Sequence, residues 1–127
     1  MLKEVKDYLK TLNAADTYSV GVIDSTRLKT LGIYSSGPAP RVEAIGENSS
    51  YRIAEISLLL HWNKNAVETE EAARALWGKL ENLAHFKMGT IDVDYLDLQY
   101  GEPVAMGPDD NGIYEYVINF NIYYKRS

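Results

Sequence analysis

Ile113-Tyr114-Glu115-Tyr116-Val117-Ile118-Asn119-Phe120-Asn121-Ile122-Tyr123-Tyr124 is the stretch that decides the fold. Tyr114, Tyr116, Ile118, Phe120, Ile122 and Tyr124 fall on one face. Glu115, Asn119 and Asn121 fall on the other, interrupted by Val117 and Tyr123. Side chains alternate across a strand, so this pattern predicts a long, half-buried antiparallel strand. Just before it, Pro108-Asp109-Asp110-Asn111-Gly112 carries the chemistry of a turn, with the Asn-Gly pair predicting a type I′-like hairpin.

A second long strand reads from Tyr51 to Trp62. Arg52, Ala54, Ile56, Leu58, Leu60 and Trp62 share one face, and Glu55, Ser57 and His61 lie opposite. At about 3.3 Å per residue each long strand spans on the order of 40 Å. The two are therefore expected to form a neighbouring pair that projects past the core.

Leu2, Val5, Leu9 and Leu12 recur at helical spacing and predict a first amphipathic helix, ended by Asn13 and Ala14. A second helix is predicted from Asn65 to Leu83, with Ala72, Ala73, Leu76, Trp77, Leu80 and Leu83 as its apolar stripe. Asn65 followed by Glu68 resembles a capping box, Thr69 is another candidate cap, and Glu68, Glu70 and Glu71 suit the positive end of the helix dipole. Tyr18 to Val22 and Leu31 to Tyr34 read as short strands separated by a turn at Asp24-Ser25-Thr26, and Ile91 to Gln99 reads as another. Ser35 to Pro40 ends the second strand, residues 41–50 read as irregular, and Gly46 to Ser50 as a mobile loop tip. The expected order is α-β-β-β-α-β-β. This is an α+β fold, a mainly antiparallel sheet with two amphipathic helices packed on one face, in a single domain over residues 1–127.

Composition narrows the function classes. At 127 residues the chain fits one domain, since either half alone is too small to hold a core. The net charge is −5 and the basic residues are scattered, so the counterion-displacing stripe of a nucleic-acid binder is missing. With no cysteine, thiolate chemistry, disulfides and cysteine-ligated zinc are excluded. The longest apolar run is Leu58-Leu59-Leu60, and the first eight residues carry charges where a signal peptide is apolar, so a soluble, cytosolic chain is expected.

No catalytic or metal constellation stands out, and none is assigned, nor any cofactor. Asp92 and Asp94 share a strand face, with Asp97 on the other unless a bulge intervenes, and they read as solvated strand positions. Asp109-Asp110-Asn111-Gly112 lacks the alternating ligands and flanking helices of a calcium loop. It reads as a surface turn with an acidic docking tip as the sharper alternative. His61 and His85 lie on different elements with no serine or carboxylate at a catalytic spacing. Gly32, Gly37 and Gly46 form no phosphate-binding pattern, and Trp62 and Trp77 read as core anchors.

Four segments together resemble a known family. They are Leu31 to Pro40 (LGIYSSGPAP), Ile56 to Asn65 (ISLLLHWNKN), Glu70 to Trp77 (EEAARALW) and Glu102 to Tyr116 (EPVAMGPDDNGIYEY). In order, spacing and total length they resemble the tail terminator, or head-to-tail joining, proteins of long-tailed bacteriophages and prophages, also called minor capsid proteins. Ser36 departs from the pattern, where the family often has a second glycine, which bears on the loop and not on the fold. The resemblance implies a small α+β subunit of a homo-hexameric ring that caps the tail tube, ends its polymerisation and joins the tail to the head connector. Implied partners are the tube protein and the connector or adaptor protein, with no membrane, and with DNA passing through the ring unread. The implied location is the tail–head junction of the virion, assembled in the bacterial cytoplasm.

Interface residues follow from loop position and resemblance: Tyr34, Ser36, Pro38, Glu47, Asn48, Tyr51, Asp109, Asp110, Asn111 and Tyr114. Asp92, Asp94, Asp97 or Glu47 are candidates to line a lumen that repels the DNA backbone. The alternative reading is a small α+β neck adaptor or ligand-binding module without tube-capping activity. A metal enzyme built on the acidic strand is a third.

Overall fold

The computed structural model describes residues 1–36 and 51–125, with the backbone alone at Tyr51. Two helices and a seven-stranded sheet form the α+β fold, in the order α1 (Leu2–Thr11), β1 (Thr17–Val20), β2 (Thr30–Ser35), β3 (Tyr51–His61), α2 (Ala66–Glu81), β4 (Ala84–Met88), β5 (Ile91–Leu98), β6 (Val104–Pro108) and β7 (Tyr114–Lys125). Strands lie in the order β1-β2-β3-β7-β5-β4, with β6 paired to β7. All pairs are antiparallel except β1 with β2.

The alternation in β3 and β7 sets this arrangement. Ile56 faces Phe120, Leu58 faces Ile118 and Ala54 faces Ile122 in register. Leu31 and Ile33 of β2 continue the same apolar face opposite Leu60 and Leu58. Val5 and Leu9 of α1 and Ala73, Leu76 and Leu80 of α2 close over that face into one core. Each of these fully buried Leu, Ile and Phe side chains contributes about 1.5–3 kcal/mol relative to exposure. Trp62 is buried and Trp77 packs partly buried against the same core, as core anchors should.

The two long strands are neighbours, but they do not project past the core. β7 is bonded on both edges: β3 runs along one, while β5 and β6 lie end to end along the other. The pair is thus the middle of the sheet. β4 and β6 were not expected from the sequence. β4 contains His85 at φ +53°, and β6 contains Gly107 at φ +77° followed by a proline, so neither shows a clean strand pattern. β1 stops at Val20, short of the expected Val22, because Gly21 turns the chain at φ +83°.

Helix ends follow their caps. Asn65 accepts the Val67 and Glu68 N–H groups through Oδ1, at 3.0 and 3.1 Å. The reciprocal half of a capping box is replaced by Asn63, whose Oδ1 accepts the Asn65 N–H and whose amide reaches Glu68. Thr69, the other candidate cap, lies inside the first turn, buried, and donates to the Asn65 carbonyl. α1 is capped by Leu12, and the chain turns away at Asn13, φ +53°.

The segment between β1 and β2 returns across the polar face of the sheet, opposite the helices. Ile23 lies over Gly32 there, and the Ser25 carbonyl reaches His61. This return loop is what builds the site described next.

Candidate functional site

His61 is the last residue of β3, and alternation puts it on the polar face. The β3–β7 register sets Glu115 directly opposite it. The β6–β7 turn brings Asp109 to the same place. His61 Nδ1 lies 2.8 Å from Glu115 Oε2 and 3.8 Å from Asp109 Oδ2, while Nε2 lies 3.0 Å from the Ser25 carbonyl. The imidazole is 1% exposed, each carboxylate side chain 20%. A carbonyl only accepts, so Nε2–H donates to Ser25, and Nδ1 is the atom turned toward the two carboxylates.

The turn itself is a type I turn followed by a left-handed glycine, not the type I′ expected. Gly112 N–H donates to the Asp109 carbonyl, Asp109 N–H donates to the Ile113 carbonyl, and Gly112 alone of the turn takes positive φ, at +80°. The difference lies in Asp109. Its Oδ1 accepts the Asn111 N–H at 2.8 Å and the Ile113 N–H at 2.9 Å, which fixes the loop without a positive φ at Asn111. These bonds, the one from Ile113 foremost, hold the Asp109 carboxyl below the ordinary aspartate value against the cost of burial, with the His61 charge adding.

The candidate interface residues separate into two groups. Asp109, Asp110, Asn111 and Tyr114 lie at the β6–β7 turn, with Asp110 and Asn111 exposed. Asp109 points inward to His61, so the acidic tip is Asp110 alone. Tyr114 is tied to the end of β3: its carbonyl accepts the Trp62 N–H and its N–H donates to Asn63. Tyr34 and Ser36 lie at the other end of the sheet, Tyr34 half-buried over Gly32 and Ser36 exposed. Pro38, Glu47, Asn48, the Gly46–Ser50 tip and the Tyr51 side chain lie outside the described residues. The chain leaves at Ser36 and re-enters at Tyr51, at the end of the sheet remote from the turn.

A bulge between Val93 and Tyr95 intervenes in β5. Asp92 and Asp97 therefore share the polar face, reversing the pairing expected from plain alternation, and Asp94 is the extra residue. Asp92 is 3.7 Å from Lys87, Asp97 is exposed, and one carboxylate oxygen of Asp94 is buried with no hydrogen-bond partner among the described residues. The three acids do not converge on one point. His85 is exposed on β4.

Sequence reasoning passed over Glu115 and Ser25. The signal for Glu115 was its place on the polar face of a strand opposite another strand ending in a histidine, which becomes a contact only once register is known. Searches against protein-family models and against curated proteins find no match. Among the described residues no helix is long and apolar enough to cross a membrane.

Proposed function

We propose that the chain is a phage assembly subunit of the tail-terminator class, which closes into a hexameric ring, caps the tail tube and joins it to the head connector. The observation that carries this reading is the four-segment resemblance, whose described residues fall mostly on β2, β3, α2 and the β6–β7 hairpin. These include the three adjacent strands β2, β3 and β7 that form the middle of the sheet. Two structural features support it. A ring needs a head-to-tail contact between two different patches of each subunit. β1 and β4 are the outermost strands, each bonded to one neighbour among the described residues. Beside β1 the apolar side chains of Val20, Val22 and Leu28 stand exposed, Val22 at 89%. The other half of the sheet instead exposes Tyr95, Tyr100 and Met106. The second feature is polarity along the strands: the β6–β7 turn and the exit at Ser36 lie at opposite ends, as a subunit touching a tube on one side and a connector on the other requires.

This role asks for self-association and docking, with no catalysis, and locates the chain at the tail–head junction. The test is sedimentation of the purified chain over a wide concentration range with negative-stain imaging of the large species. Annular particles of six subunits support the reading. A strict monomer at every concentration counts against it.

A further inference from the structure

We propose that His61, Glu115 and Asp109 form a binding site for a zinc-class divalent cation, which fastens the return loop, the end of β3 and the β6–β7 turn to one another. The argument is independent of the assembly role.

The three side chains offer one nitrogen and two carboxylate oxygens, all within 4.8 Å of one another. An imidazole with carboxylates is a donor set that suits zinc and its first-row neighbours better than magnesium or calcium, which call for oxygen alone. With bonds of about 2.0–2.2 Å, tetrahedral zinc sets its ligand atoms roughly 3.3 Å apart. The distances from Nδ1, 2.8 Å to Glu115 and 3.8 Å to Asp109, lie on either side of that value. Each carboxylate therefore moves by about half an ångström to ligate a tetrahedral zinc.

The surroundings hold the ligands in place. Nε2–H donates to the Ser25 carbonyl, which fixes the ring and leaves Nδ1 as the nitrogen a metal would take, the arrangement metal-binding histidines show. Asp109 spends Oδ1 on the two turn amides, which leaves Oδ2 aimed at the site. The buried ring forms the floor, and the partly exposed carboxylates leave a way in from solvent, from which a water would supply the fourth ligand. Two carboxylates match the charge of a divalent cation. The 2.8 Å contact between Nδ1 and Oε2 is a hydrogen bond, and the cation takes the place of its hydrogen.

The test uses the full chain stripped with a chelator and then titrated with zinc. One zinc per chain binds, and at free zinc roughly a hundred times the dissociation constant the melting temperature rises by about 10 °C. The Asp109→Asn, Glu115→Gln double variant keeps the turn acceptor and the hydrogen bond to His61, and loses the rise. His85→Ala keeps it. A second measurement needs no variant: long-range proton–nitrogen correlation of the two histidine rings. Zinc shifts the His61 Nδ1 resonance and leaves His85 in place. The proposal is overturned by an unmoved melting temperature, by a rise that survives the double variant, or by a shift confined to His85.

Discussion

Replacing Gly32 by alanine tests the packing of the return loop. A Cβ built on Gly32 meets Ile23 Cγ2 at 2.6 Å and the Tyr34 ring at 2.8 Å, each about an ångström inside normal carbon–carbon contact. Gly32 lies in the interior of β2 with β1 and β3 bonded on either side, so the backbone cannot move away. The relief must come from Tyr34 swinging out and Ile23 lifting, and with Ile23 goes the loop that presents the Ser25 carbonyl to His61. Overpacking of this kind costs about 1–3 kcal/mol. The lost backbone freedom of the unfolded glycine returns about 0.4–1 kcal/mol. The net destabilisation is about 1–2 kcal/mol. With an unfolding entropy of about 2.1 cal/mol/K per residue over 127 residues, that lowers the melting temperature by about 4–7 °C. Urea and thermal denaturation measure it. The same substitution made beside Ile23→Ala should cost at least about 0.5 kcal/mol less, because one of the two obstructions is gone. A Gly32→Ala chain as stable as the parent refutes the packing described for the loop, as does a cost unchanged in the Ile23→Ala background.

Asn65→Ala removes the acceptor of two N–H groups at the start of α2 and should destabilise the chain by about 1 kcal/mol in urea denaturation, whereas a change within error contradicts the cap assignment. Asp24 accepts from the Thr26 hydroxyl and the Thr26 N–H, which hold its carboxyl below the ordinary value of 3.8. A lowered pKa means stability that is fully present above the unfolded value and is lost as pH falls through the folded one. The melting-temperature gap between the parent and Asp24→Asn should therefore close below pH 3.8, and a gap that persists unchanged at pH 2 contradicts it. Under the assembly reading, lysine at Asp92 and Asp97 slows DNA release from otherwise normal particles, and unchanged release in an ejection assay removes these acids from the lumen.

The long strands were legible because β3 and β7 each repeat the same side-chain alternation over most of a dozen positions, and nothing but a half-buried strand satisfies that pattern. α2 was legible for a similar reason, and its cap falls on Asn65 as read from the sequence. β4 and β6 were hidden because each carries a left-handed residue that breaks the alternation. The bulge at Asp94 turned Asp97 to the face that period-two counting denied it, and such irregularities are fixed by the neighbouring strand, not by the local sequence. The His61 cluster was illegible for the same physical reason. Its members are far apart in the chain, and only the register of β3 against β7 and the return of the loop through Ser25 bring them together. In the sequence alone Asp109 reads as an outward docking residue, because its bonds to the Asn111 and Ile113 amides, which turn it inward, are a property of the closed turn.

The proposed assembly role is tested most directly by tail length. The measurement is the length distribution of tails in electron micrographs of particles produced from the genome that encodes the chain, with the chain present and with it deleted. The account predicts tails of one length joined to heads when it is present, and overlong, unjoined tails when it is absent, restored by supplying the chain separately. Normal particles of uniform tail length in its absence would contradict it.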